Sequence, residues 1–471
     1  MRRTRDLLRR SLSAVTLLLA AGLSFHAGGW TPLAPDTLAA QTPEQSYADW
    51  ARPIFPAGEY SARREALLEA LETAGGGILL VPSSDGVTHG ETFRQLDDFW
   101  YLAGVEVPGS MLALDSDRGA SVLFLPRRDP RFERPGRPND FPGRPLGDDP
   151  SVAASAGVER TADVQALGDS ISAWVGGGRR LRVNAGRPGH VRVPEPPLVG
   201  TLGPVESLVL RLDRDHPELE VGNAFSPIAR LRMRKSPTEV DAIERAARAT
   251  TAAIRETAAA VRPGVDESTL RGVFEAACRR EGAQAIPFTP IVKSGANALW
   301  PWRILAAHYE RRSRALETGE IVILDVGCEV DGYVSDLGRT FPVGGAFDAR
   351  RREKLEMVNV VAERIIAAVR PGVTLVRLTE VAYEAIPDPE ERYMQTPSYF
   401  GHHIGLSAGD PALFDEPLAP GMVFTVEPWY YNHDLEISVF VEDVVLVTED
   451  GVRVLTASLP RSPDALEAIV P

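Results

Sequence analysis

"EIVILDVGCEVDGYVSDLGRTF" spans Glu320–Phe341. Ile321–Val326 is an apolar run of strand length, and Asp331-Gly332 has the chemistry of a tight hairpin turn. Yet Asp325 stands at the end of the first strand and Asp336 on the next. Reversal of the chain around residues 329–332 predicts Asp336 roughly opposite Asp325. Opposed residues of an antiparallel pair share a face. Two carboxylates about 4 Å apart repel by roughly 4 kcal/mol at an effective dielectric near 20. Such a pair must share a proton, meet an arginine or bind cations.

The surrounding sequence contains the same pattern twice. "LETGEIVILD" (Leu316–Asp325) is echoed by "LAPGMVFTVE" (Leu418–Glu427), an offset of 102. "AVRPGV" occurs at Ala260–Val265 and at Ala368–Val373, an offset of 108, each time between helical stretches. Two echoes in the same order point to an internal duplication. The expected result is a two-lobed α/β unit in which each lobe offers a hairpin and the lobes meet at a cleft. Glu427 then corresponds to Asp325, and Glu442 in "ISVFVEDVVLV" lies on a further apolar strand as Asp336 does. "YFGHHIGLSAGD" adds His402.

Each of these residues alone has an ordinary structural explanation. An Asp at a strand end is usually a turn or cap residue, Glu442-Asp443 could be a solvated edge, and a single His is more often hydrogen-bonded than metal-ligating. The joint pattern outweighs this. Four carboxylates and one imidazole suit two divalent cations, and an oxygen-rich set with one nitrogen favours manganese or a similar ion over structural zinc.

The totals set bounds on the rest. The chain has 471 residues, is 44% hydrophobic and carries a formal charge of −14, enough for two cores of ordinary size. An acidic chain with no basic run argues against nucleic acid as a partner. Residues 1–40 read as a signal peptide. "MRRTRDLLRR" is basic, "SLSAVTLLLAAGLSF" is apolar but short for a span, and Ala39-Ala40 offers a cleavage site. Arg9-Arg10 leaves the twin-arginine route open beside the general secretory one, so the expected location is periplasmic or extracellular. No later apolar run is long enough to cross a membrane. Cys278 and Cys328, the only cysteines, are read as buried small hydrophobes.

Residues 41–225 alternate helical and strand patterns and form the expected N-terminal α/β domain, interrupted by the Pro- and Gly-rich loop Arg127–Pro150. Residues 226–471 form the expected second domain. Ser236, Pro237 and Glu239 announce its first long helix, as N-cap, first-turn proline and capping box.

"LDVGCEVDGYVSDLGRTFPV", "GHHIGL", "GMVFTVEP" and "VEDVVLV" together resemble the pita-bread metallopeptidases, most closely the Xaa-Pro aminopeptidases (aminopeptidase P). "FRQLDDFWYLAG" (Phe93–Gly104) is similar to the N-terminal domain of that family, and "MRKSPTEVDAI" to the entry into its catalytic domain. The resemblance implies a dinuclear centre with Asp325, Asp336, His402, Glu427 and Glu442 as ligands, and Asp336 and Glu442 bridging. It implies manganese as the metal, with cobalt, zinc or iron as alternatives. A metal-bridging hydroxide would attack the bond between an N-terminal residue and proline. Glu427 would relay the proton, and His308 would contact substrate at the scissile bond. Proline-containing peptides are the expected partners, and a homo-dimer or homo-tetramer the expected assembly.

The chain departs from the family pattern around the ligands. Gly409 and Ser398 stand where histidines are usual, Phe440 where an arginine is, and Trp429 where a glycine is. His433 is positioned to stand in for a missing histidine, and Trp429 with Trp300, Trp302, Tyr430 and Tyr431 could wall a proline pocket. Three alternatives follow: a prolidase with Arg303, Arg311, Arg312 or Arg314 holding the substrate carboxylate, a metal-binding homologue without peptidase activity, and, ranked lower, a metal-free creatinase-like hydrolase.

Overall fold

The computed structural model describes residues 53–86, 93–126, 150–299, 313–394 and 400–471. The signal peptide, the 127–149 part of the loop, Trp300, Trp302, Arg303, His308, Arg311, Arg312 and Ser398 lie outside the described residues. No helix among the described residues is long and apolar enough to cross a membrane.

The first half runs α1 (Ala57–Thr73), β1 (Ile78–Pro82), α2 (Asp97–Ala103), β2 (Met111–Asp115), β3 (Ala120–Leu125), α3 (Pro150–Ala156), β4 (Arg160–Asp163), α4 (Leu167–Gly176), β5 (Leu181–Val183), α5 (Pro204–Asp215) and β6 (Gly222–Asn223). Its strands form one mixed sheet in the order β4-β3-β2-β1-β5-β6. β1 to β3 pair antiparallel, while β4, β5 and β6 join in parallel. β1 is buried along its whole length, which explains its unbroken "ILLVP".

The second half opens with α6 (Phe225–Met233), α7 (Pro237–Ala259), α8 (Glu267–Arg280), β7 (Ile291–Ser294), α9 (Gly295–Ala298), β8 (Ile321–Val326), β9 (Glu329–Val330), β10 (Tyr333–Val334) and β11 (Leu337–Pro342). It continues with α10 (Ala349–Ala368), α11 (Leu375–Ala385), β12 (Val423–Val426), β13 (Trp429–Asn432), β14 (Ile437–Phe440), β15 (Asp443–Val447), β16 (Val452–Val454) and α12 (Pro463–Glu467). The capping box at α7 forms: Glu239 N–H donates to Ser236 Oγ, and Ser236 N–H to Glu239 Oε2.

The duplication is visible in the backbone. Gly264 N–H donates to Leu316 O (2.9 Å) and Leu316 N–H to Val265 O (2.8 Å). The second lobe repeats both bonds, Gly372 to Leu418 (2.8 Å) and Leu418 to Val373 (2.7 Å). Gly264 and Gly372 both have φ of 87°, a region that glycine enters without steric cost. Each repeated "RPGV" thus turns one helix into the next and ties the turn to the segment leading into the lobe's first strand.

Two expectations need correction. Asp331 (φ 53°) and Gly332 (φ 78°) make the two-residue turn with positive φ at both centres, and Tyr333 pairs with Val330. But β8 pairs with β11 so that Asp325 faces Gly338, not Asp336. The small β9–β10 ladder at the tip keeps the same register as β8–β11, so the two-residue turn at Asp331-Gly332 itself sets Asp325 opposite Gly338. Asp336, just before β11 and two residues ahead of Gly338, therefore sits diagonal to Asp325. The cysteines are fully buried as expected but are not free: Cys278 on α8 and Cys328 beyond β8 form a disulfide with Cα atoms 5.7 Å apart. A separation of 50 residues carries no local signal for this pairing; the packing of α8 on the hairpin sheet creates it.

The apolar core is also distributed differently from one core per half. One buried cluster lies within the second half and one under the first sheet, but a third is shared. It joins Phe55, Tyr60 and Trp100 to Ile243, Tyr333, Ile404, Val423 and Val444. Arg63 and Trp100 of the first half thus meet the tip of the acid-bearing hairpin, where Tyr333 donates to Glu239 (2.7 Å).

Candidate metal centre

Asp336 stands just before β11, and Glu442 just before β15. The two strands run side by side, with Glu442 N–H donating to Gly338 O (2.9 Å) and Thr340 Oγ1 to Phe440 O (2.9 Å). This register brings the acids to the same place. Gly338 makes it possible: a Cβ there would lie 2.0 Å from a ring carbon of Phe440. Asp336 and Glu442 are both buried, so the solvated-edge explanation for Glu442-Asp443 does not hold.

His402 enters from the facing segment. Phe400–His403 lies along β12: Thr425 N–H donates to His402 O (2.8 Å), Glu427 N–H to Phe400 O (2.7 Å), and His403 bridges Phe424. Thr425 is the hub, a residue that sequence reasoning passed over inside "VFTV". Its fully buried hydroxyl accepts from His402 N–H (3.0 Å) and donates to Glu427 Oε1 (3.1 Å).

Ligand atoms of Asp336, His402 and Glu442 all lie within 4.8 Å of one another. His402 Nε2 is 3.2 Å from Glu427 Oε1 and 3.6 Å from Asp336 Oδ2. Four of the five expected ligands therefore converge. Asp325 is placed by register, on β8 opposite Gly338. His402 Nδ1 lies 3.2 Å from the His403 carbonyl, which can only accept, so Nδ1 carries a proton. That bond turns the Nε2 lone pair toward the carboxylates, the usual arrangement of a ligating histidine. An imidazole nitrogen and carboxylate oxygens at this spacing suit a cation between them. The residues present fit a divalent metal centre.

The loop after His402 is anchored by buried charge. Asp410, whose N–H donates to His403 O (3.0 Å), meets Arg232 (2.5 Å) and Lys235 (3.1 Å), and Arg232 also pairs with Asp97 and Asp98. Burial, with Lys235 adding to it, pushes the His403 imidazole down to about 3, which keeps it neutral. Gly409 is exposed on this loop.

β13 and β14 form a ribbon beside the centre. Trp429 faces Phe440 and Tyr431 faces Ser438, so these four share one side, with Trp429 and Phe440 in edge contact at 6.2 Å. The Tyr431 and Ser438 hydroxyls are buried and have no hydrogen-bond partner among the described residues. His433 packs edge-on to Tyr431 at 4.9 Å. Tyr430 points the other way and is fully buried, so it is core rather than wall. Arg314 is committed to Glu317 and Glu320, away from any role in holding a substrate carboxylate.

Residues 241–449 match metallopeptidase family M24, and residues 60–176 match the N-terminal domain of aminopeptidase P. The Xaa-Pro aminopeptidase of Escherichia coli is 28% identical, covering 88% of this chain and 97% of that one. The mitochondrial intermediate cleaving peptidase 55 of Arabidopsis thaliana is 27% identical over 88% and 82% of the two chains. A solved structure of zinc-substituted Escherichia coli aminopeptidase P in complex with product superposes with a TM-score of 0.71 at 26% identity, covering 88% of this chain and 98% of the other.

Proposed function

The second half of the chain belongs to metallopeptidase family M24, behind an aminopeptidase P N-terminal domain, and from that premise we propose that it removes the N-terminal residue from peptides whose second residue is proline. The convergence of Asp336, His402 and Glu442, with Glu427 against His402, is the observation that carries this reading. Relatives along nearly the whole chain bear the name Xaa-Pro aminopeptidase, which favours it over a dipeptidase.

Asp325, Asp336, His402, Glu427 and Glu442 would hold two divalent cations, manganese in our proposal, whose chemistry when bound is Lewis acidity and acidification of water. Glu427 is the most open carboxylate of the set, its side chain 22% exposed against 7% for Asp336, with Asp325 and Glu442 buried. Thr425 donates to Glu427 Oε1 and steadies the carboxylate, which would take a proton from attacking water and return it to the leaving proline nitrogen. Trp429, half-buried and backed by the buried Phe440 ring, offers an apolar face to a proline ring. His433 and, by resemblance, His308 are assigned to substrate. Export also belongs to this proposal, and the Cys278–Cys328 disulfide supports an oxidising compartment.

The test is metal analysis followed by assay of the manganese-loaded protein on Xaa-Pro dipeptides and on longer Xaa-Pro-Yaa peptides. Release of the first residue from the longer peptides is expected, with loss of turnover in Asp336→Asn. Cleavage of dipeptides alone would identify a prolidase. A protein that binds metal and cleaves neither would be a binding homologue.

A further inference from the structure

Arg339 is the largest fully buried side chain of the described residues and touches none of the proposed substrate-facing groups. A guanidinium has five N–H donors, and here every one finds an acceptor. Nε donates to Pro460 O (2.9 Å). Nη1 donates to Gly338 O (2.7 Å) and to Glu442 O. Nη2 donates to Asp443 Oδ1 (2.8 Å) and Leu459 O (2.9 Å). Asp443 is itself held by the Thr456 hydroxyl (2.7 Å) and by Arg461 (3.3 Å).

We infer that Arg339 is a positioning residue that sets the spacing between Asp336 and Glu442, an inference resting on the metal-centre reading above. Glu442 is gripped on both sides of its backbone. Its N–H donates to Gly338 O, and its carbonyl accepts from Arg339. Gly338 O takes both the Glu442 N–H and the guanidinium, so one side chain binds the strand following Asp336 to the strand that follows Glu442. The same group reaches forward to Leu459 and Pro460, so the C-terminal segment braces the centre from behind. A lysine has three donors on a point-like head and no fork, and it cannot reproduce this arrangement.

The distinction from a merely stabilising role lies in metal affinity. Apoprotein of wild type, Arg339→Lys, Asp443→Asn and Thr456→Val is titrated with Mn2+ alone, with Zn2+ and Co2+ in parallel, and the melting temperature of each apoprotein is recorded. Partners behind a metal site typically contribute ten- to a hundredfold to affinity. Arg339→Lys is expected to weaken binding by about that factor, and Asp443→Asn to weaken it in the same direction. If Arg339→Lys does not fold, Asp443→Asn and Thr456→Val decide the matter by the same measure. Variants that melt earlier yet bind metal with wild-type affinity would overturn the inference and leave the knot a fold element only. A folded wild type that binds none of the three ions would remove the metal-centre reading, and this inference with it.

Discussion

At the scale of single residues, the centre depends on small side chains as much as on the acids. Gly338 leaves room for the Phe440 ring where β11 passes beside the strand carrying Glu442. Gly338→Ala should cost roughly 1–3 kcal/mol, the usual range for an overpacked core. Phe440→Leu in the same chain should recover part of it, as urea melts of the single and double variants can measure. Thr425 is a second such residue. Thr425→Val keeps the shape but takes away the acceptor of the part-buried His402 N–H and one donor to Glu427 Oε1. A loss of about 1–3 kcal/mol is expected, together with a fall in kcat larger than any change in KM. Unchanged kinetics in a stable Thr425→Val protein would remove Thr425 from the site. The acids were legible because their chemistry is unusual on apolar strands. The glycine and threonine were not, since both are ordinary residues whose role appears only once another strand lies against them.

At the scale of elements, two ties hold the ligand-bearing segments. The loop following His402 is tied by Asp410 to Arg232 and Lys235. Burial alone would raise the Asp410 carboxyl, but the two cations hold it below its ordinary value. A depressed carboxyl stabilises the fold above its unfolded value, near 3.9, and that contribution is lost as pH falls through the lower folded value. Stability should therefore fall with acid below about pH 4, and this part of the slope should vanish in Asp410→Asn. Removing a partner of a buried pair costs roughly 3–5 kcal/mol, which neutral-pH denaturation of Asp410→Ala can check. The second tie is the disulfide, whose Cys328 lies three residues beyond Asp325 and whose backbone meets Thr250 Oγ1 and Ser335 N–H. Closing its 50-residue loop is worth roughly 4 kcal/mol on chain-entropy grounds. Reductant should lower the urea midpoint accordingly, and a midpoint insensitive to reductant would show that the bond does not form in solution.

At the scale of the whole molecule, the two halves share a core as well as a boundary. Ile243, Tyr333, Ile404, Val423 and Val444 pack with Phe55, Tyr60 and Trp100, and Arg63 reaches Tyr333 and Glu239. The first half thus supports the tip of the hairpin that carries Asp325 and Asp336. Residues 53–471 should unfold in one calorimetric transition, with equal calorimetric and van't Hoff enthalpies. Residues 226–471 produced alone should expose this shared apolar surface, melt well below the full chain and bind metal more weakly. Two separate transitions in the full chain would contradict the shared core.

Patterns repeated along the chain could be read directly, because they are local. The doubled "RPGV" turns, the hairpin turn at Asp331-Gly332, the capping box at Ser236 and the acids on apolar strands each follow from a few neighbouring residues. Folding in three dimensions decided the rest: the pairing of Cys278 with Cys328, the five-bonded Arg339 and the core common to both halves. Each of these is a contact between segments far apart in the chain, where no local periodicity or turn chemistry specifies which partner a side chain will meet.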